Sequence, residues 1–286
     1  MIFILAPMTK EDMTVDLDVI IDSPDYSVEM KAGLKTLQGS SDAIRIITET
    51  VLTGNIPERK TFKGKVRTLL KESFKGSYGQ IFSIDIIDPA SQTKYSQIGW
   101  ETFIEVIAYF LNESVYQDPG DLSEAAKNLV DSLGEKAEEL NKQLRVSAMK
   151  NIHDTSYKFN YDVKIRFRKN RDEQRTLAKF NRLSGSTLTA KLDRTEIDIL
   201  SAITRLNINT GNGRLQISGE EETTAFGFGT EYKLIRIEAK KILSDNLDKN
   251  NGLEDKNRIF LKLRARALRL RDGKAVKYII SGFYEN

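Results

Sequence analysis

Over residues 14–22 apolar and acidic positions alternate, with Val15, Leu17 and Val19 on one face and Asp16 and Asp18 on the other. That two-residue period predicts a strand with one wet side. Pro24 ends the ladder, and from about Met30 to Leu52 the period becomes helical, with Leu34, Leu37, Ala43, Ile44, Ile47 and Val51 in one stripe. Gly39-Ser40-Ser41 interrupts the stripe at a point where the helix can divide in two. Residues 66–74 and 80–87 read as the arms of a hairpin around Lys75–Gly79. Trp100 to Tyr116 is a strongly apolar helix, and the spacing of Leu122, Ala125, Leu129, Leu133, Ala137, Leu140, Leu144 and Ala148 predicts one amphipathic helix over 121–149. Asp121 and Glu124 have the spacing of a capping box at its start.

After residue 150 the pattern turns to strands. Tyr157, Phe159, Tyr161, Val163, Ile165 and Phe167 alternate with mostly basic positions, which predicts a strand with one apolar and one basic face. Shorter strands follow at 187–192, 197–209, 214–218 and 223–228. Residues 231–243 suit either a strand or a helix, 245–257 read as a polar loop, and a terminal hairpin runs Ile259–Arg271, Asp272-Gly273, Ala275–Phe283. Short strands at such spacing predict a small barrel. The expected fold is therefore α+β: a mixed N-terminal sheet with packed helices over 1–150, a basic connecting segment at 151–184, and an OB- or SH3-like β-barrel at 185–286.

Composition narrows the chemistry. Of 286 residues 40% are hydrophobic and 30% charged, enough for proper cores under a well-solvated surface. With no cysteine, disulfides and thiolate chemistry are excluded, which fits a reducing compartment. The apolar start, Met1–Met8, lacks a basic flank and is too short for a signal peptide or a membrane span; residues 2–5 read as a first buried strand. The chain is expected to be cytoplasmic, without membrane contact. Its net charge of +3 hides an asymmetry: residues 1–150 hold 17 Lys/Arg against 23 Asp/Glu, a net −6, and the remainder 27 against 18, a net +9. Such a split points to a polyanion contact on the basic side, or to halves that neutralise each other.

The penultimate strand carries the sharpest signal. Ile259, Leu261, Leu263, Ala265 and Ala267 point one way, and Lys262, Arg264 and Arg266 the other. The phase then slips, so a β-bulge near Ala267-Leu268 would keep Arg269 and Arg271 on the same face as the first three cations. A phosphate backbone would neutralise such a face; water or internal acids would do so too. A second cluster comprises Arg166, Arg168, Lys169 and Arg171, continuing through Arg175, Lys179 and Arg182.

Ile203–Asn207 followed by Thr210–Ile217 resembles the second and third strands of cold-shock-type OB barrels, but Leu206, Leu215 and Ile217 stand where that family has stacking aromatics. The order of elements, with Leu37–Arg45 and Leu200–Gln216 plus the terminal hairpin, resembles an uncharacterised group of bacterial accessory proteins, some of them associated with phage-defence loci. That resemblance implies an accessory or sensor role and supplies no catalytic residues.

Catalytic signals are sparse. His153 is the only histidine, so triads and His-rich metal sites are hard to build. Glu238-Ala-Lys240 matches half of a metal-nuclease motif that Asp193 or Asp198 would have to complete. The expectation is a non-enzymatic, cofactor-free accessory protein that binds DNA or RNA through the two basic surfaces. Its acidic N-terminal part would contact an effector protein or a second copy. A scaffold or inhibitor facing an acidic protein, and a metal-dependent nuclease, are the alternatives.

Overall fold

The alternation over residues 14–21 forms β1 (Thr14–Ile21), the middle strand of a five-stranded sheet. The structure is a computed structural model that describes residues 14–57, 64–74 and 78–284. The expected strand at 2–5 lies outside them, as does most of the turn between the hairpin arms. The chain divides into two compact units: unit 1 runs to Ser114 and resumes over Pro119–Gly185, while unit 2 takes Val115–Asp118 and the chain from Ser186 on.

Unit 1 follows β1 with α1 (Met30–Thr53), the hairpin β2 (Val66–Phe74) and β3 (Tyr78–Ile86), and helices α2 (Pro89–Ile98), α3 (Trp100–Glu113), α4 (Glu124–Ser132), α5 (Glu135–Val146), α6 (Ala148–Ile152) and α7 (Asp154–Phe159). The hairpin β4 (Val163–Arg168) and β5 (Gln174–Phe180) and the short α8 (Arg182–Ser186) complete it. The sheet order is β2-β3-β1-β4-β5. Among the described residues every ladder of this sheet is antiparallel, where a mixed sheet was expected, because two tight hairpins dock on either side of β1. Residues 151–184, expected to connect two domains, supply two of its strands.

One face of the sheet, with Val15, Leu17, Ile84, Val163, Ile165 and Phe180, is buried in the core with Phe103, Ile107 and Phe110 of α3 and Ile44 and Ile47 of α1. Three expectations change here. The helix predicted over 121–149 is broken at Gly134, whose φ of 56° with a ψ of −131° only glycine adopts without strain, and again at Ser147. Its N-cap is Ser123 rather than Asp121. Tyr157 and Phe159 belong to α7, which ends on Asn160 in the left-handed region, so the strand starts only at Val163.

The helix α1 is not divided at Gly39. Instead Gly39 is the point where α6 crosses it: an added Cβ would lie 2.5 Å from the Ile152 amide nitrogen and 2.7 Å from the Ala148 carbonyl oxygen. Thr36 beside it donates to the Ile152 carbonyl at 3.2 Å.

Unit 2 contains β6 (Lys191–Leu192), β7 (Ile197–Leu206), β8 (Gly213–Ile217), β9 (Thr223–Phe228), α9 (Ile237–Asn250), β10 (Leu261–Arg269) and β11 (Ala275–Phe283). The order β11-β9-β8-β7-β10, closed by the β10–β11 pairing, makes a five-stranded barrel to which β6 adds at β10. A three-strand meander, a helix, a hairpin and a parallel β9–β11 closure are consistent with an OB-like barrel. The cold-shock-like stretch forms the first two barrel strands, not the second and third. Ile203, Leu215, Phe226, Leu263, Ala265 and Ile280 fill the interior.

Residues 237–250, read as part strand or helix and part polar loop, are one helix. Two of its polar residues face inward: Asn246 Oδ1 accepts from the Ile203 amide at 2.8 Å, and Asn250 Oδ1 accepts from the Ile259 amide at 2.7 Å. They serve backbone groups at the barrel end that would otherwise be buried unsatisfied.

Gly39→Ala is expected to destabilise unit 1 by about 2 kcal/mol or more, since backbone atoms cannot yield as a side-chain tip can. Chemical denaturation of the two chains measures it; an unchanged midpoint would refute the close crossing.

Candidate nucleic-acid interface

Several of the expected cations stand beside particular acids. On the face of sheet A (the five-stranded sheet) turned away from the helices, Asp18 is 0% exposed, not on a wet side. Arg166 Nη2 donates to it at 2.7 Å, and Arg168 Nε and Nη2 at 2.6 and 2.9 Å. Both guanidinium groups also lie against the Phe74 ring, 5.9 and 5.1 Å from its centroid. Lys164 pairs with Asp22 at 2.6 Å and Lys169 with Glu173 at 3.1 Å. Arg171, in the turn after β4, is exposed. Within the second basic cluster Arg166, Arg168 and Lys169 are neutralised from within, while Arg171, Arg175, Lys179 and Arg182 have no partner among the described residues.

On β10 the cations divide. Lys262 and Arg264 share Asp198, each at 3.3 Å. Tyr284 donates to the same carboxylate at 2.6 Å, and its ring lies 4.5 Å from Lys262 Nζ. The Tyr284 hydroxyl, with Arg264 and Lys262, holds the Asp198 carboxyl below the usual carboxylate range. Arg269 pairs with Asp193 at 2.8 Å. Arg266 and Arg271 have no partner among the described residues, nor do Lys191 and Arg194 on and just past β6. The register against β11 shifts twice, between Arg264 and Ala265 and between Leu268 and Arg269, but each time the unpaired residue, Ser281 and then Val276, is on β11, so the bulge expected within β10 near Ala267-Leu268 is not found.

The outer face of β8 and β9, where OB barrels take oligonucleotides and oligosaccharides, is covered by the chain's own Val115–Asp118. Arg214 there is only 5% exposed and Lys277 only 6%. The Asp118 carboxylate meets Arg214 at 2.9 Å and Arg205 at 3.4 Å, and accepts from Thr223 at 3.0 Å. Tyr116, at a φ of 60°, accepts from Arg214 through its carbonyl and lays its ring 5.7 Å from Lys277 Nζ. Sequence reasoning missed Arg214, Lys277 and this strap, because nothing near residue 118 announces a partner almost a hundred residues on.

The nuclease half-motif is not assembled. Glu238 and Lys240 lie on the first turn of α9, where positions two apart point about 200° from each other. Lys240 Nζ sits 4.7 Å from the Tyr232 ring centroid, while Asp193 and Asp198 are engaged on β10. Among the described residues no group of three His, Asp or Glu side chains is placed to hold a metal ion, and no helix is long and apolar enough to cross a membrane. His153 is fully buried, with Nδ1 at 2.7 Å from the Met149 carbonyl and Nε2 at 2.9 Å from Ser184 Oγ. The carbonyl only accepts, so Nδ1 carries the proton and Nε2 accepts from Ser184. Burial pushes the imidazole down to about 4. No family model, curated protein or solved structure matches this chain.

Two outcomes follow from these buried groups. Asp18→Asn leaves two guanidinium groups facing a neutral amide and is expected to lower unfolding stability by roughly 3–5 kcal/mol, read by urea titration. Because the folded His153 resists protonation, its contribution is complete above the unfolded value near 6.5 and is lost as pH falls toward about 4. Stability should fall by roughly 3 kcal/mol across that window from this group. His153→Gln should flatten that part of the pH profile, and an unchanged slope would contradict the assignment.

Proposed function

We propose that this protein is a non-catalytic accessory subunit that binds nucleic acid along β10 and the adjoining β6 segment of its OB barrel. The observation that carries the reading is a charge imbalance. Five cations, Lys262, Arg264, Arg266, Arg269 and Arg271, have two carboxylates between them, Asp198 and Asp193. Lys191 lies opposite Arg269 and adds to the excess, as does Arg194. A row of cations held apart by strand geometry repels itself unless anions come from outside, and a phosphate backbone supplies them at regular spacing. Such contacts position a strand without reading its sequence. The usual OB face is filled by Val115–Asp118, which favours the β10 side.

Partner contact belongs to unit 1 in this reading. Among the described residues β2 is an edge strand, and it exposes Leu69 and Leu70. The resemblance to bacterial accessory proteins supports a role in a defence system.

Labelled single-stranded DNA and RNA, titrated at several salt concentrations, test the interface. Arg266→Gln and Arg271→Gln should each weaken binding to every sequence alike and lower the log–log salt slope by about 1. Binding that survives Arg266→Glu with Arg271→Glu, its slope unaltered, sinks the proposal.

A further inference from the structure

The open face of sheet A is hollowed. Between β1, β4, β5 and the end of β2 lies a groove of about 370 Å³, within the range of small-ligand sites, roughly 300–1,000 Å³. Ile20 and Phe74 give it an apolar wall; Lys164, Arg166, Thr176 and Lys179 give it a basic, hydrogen-bonding one, with Asp22 at the rim. The Phe74 ring lies across Gly79, where a Cβ would come within 2.4 Å of it, so bare backbone makes room for the ring.

Three features of the basic wall ask for an anion. Lys164 and Lys179 stand directly opposite each other on β4 and β5, a like-charge pair that repels. Asp22 serves Lys164, but Lys179 has no partner among the described residues. Arg166, next along the same face, gives Nη2 to Asp18 while its Nε is buried with no acceptor. A buried donor left unsatisfied is costly, and a charged one more so. Thr176, opposite Arg166, adds an exposed hydroxyl.

We propose that this groove binds a nucleotide. Its phosphate oxygens accept from Lys179 Nζ and Thr176 Oγ1 beside the positive charge of the Arg166 guanidinium, and its base lies against Phe74 and Ile20. A bare phosphate would use the basic wall and leave the apolar one empty; a planar, apolar-faced group bonded to a phosphate uses both. The site is separate from the barrel strand and does not depend on the barrel binding nucleic acid.

Isothermal titration calorimetry on the full chain tests this with metal-free ATP and, as a probe without a base, pyrophosphate. Lys179→Ala should weaken both about tenfold or more. Phe74→Leu should weaken ATP about fivefold and leave pyrophosphate unchanged, as expected for a lost aromatic contact. The Arg266→Gln, Arg271→Gln chain should bind ATP like the parent. Thermal melts coincident with the parent's show that the variants are folded, and neither residue is tied to Asp18 by a hydrogen bond. No heat with millimolar ATP overturns the proposal, as does ATP binding unchanged in Lys179→Ala. Equal losses of ATP and pyrophosphate in Phe74→Leu overturn the assignment of a base. ATP binding lost only in the barrel variant would mean that the nucleotide reports on β10 instead.

Discussion

A carboxylate taken out of water is tolerated only where cations meet it with good geometry, and Asp18 sits on the central strand of its sheet under that condition. The cations arrive from β4, 148 and 150 residues later. A slip of one residue in the β1–β4 register would turn Arg166 and Arg168 toward the helices and leave the carboxylate bare. The ion pair therefore specifies how the second hairpin joins the first strand. It also explains why residues 163–180 belong to unit 1 although their composition resembles that of the basic half.

The same condition recurs in the barrel. Asp118 serves Arg205 and Arg214, Asp198 serves Lys262 and Arg264, and Asp193 serves Arg269. Asp18, Asp22 and Asp118 come from the acidic part of the sequence, and the cations they meet from the basic part. Much of the charge asymmetry is thus resolved within the chain. What is left over is local rather than diffuse, on the far half of β10 and in the sheet groove, and there an external anion has something to gain.

Period and turn chemistry made β1, the β2–β3 hairpin, α1, α3 and the terminal hairpin legible, since each is defined by neighbours in sequence. The misreadings share a cause. Phe159 and Tyr161 continue an alternation into β4, yet a left-handed Asn160 ends a helix between them. Asn246 and Asn250 look like loop residues because their polarity serves backbone groups of β7 and of the segment before β10. The list of basic residues on β10 was readable; which of them are neutralised was not, because an ion pair across 66 or 76 residues leaves no trace in local pattern.

The strap over β8 and β9 bears on how this barrel can be handled as a piece. The chain enters unit 2 for four residues, leaves, and returns 67 residues later. A fragment cut at Ser186 would keep every barrel strand and still lack the carboxylate that neutralises Arg205 and Arg214 and the ring that covers Lys277. It would leave bare three cations that the whole protein keeps paired or covered. Modularity by strand count and modularity by surface chemistry part company here, and an excised barrel would be a stickier molecule than the one from which it came.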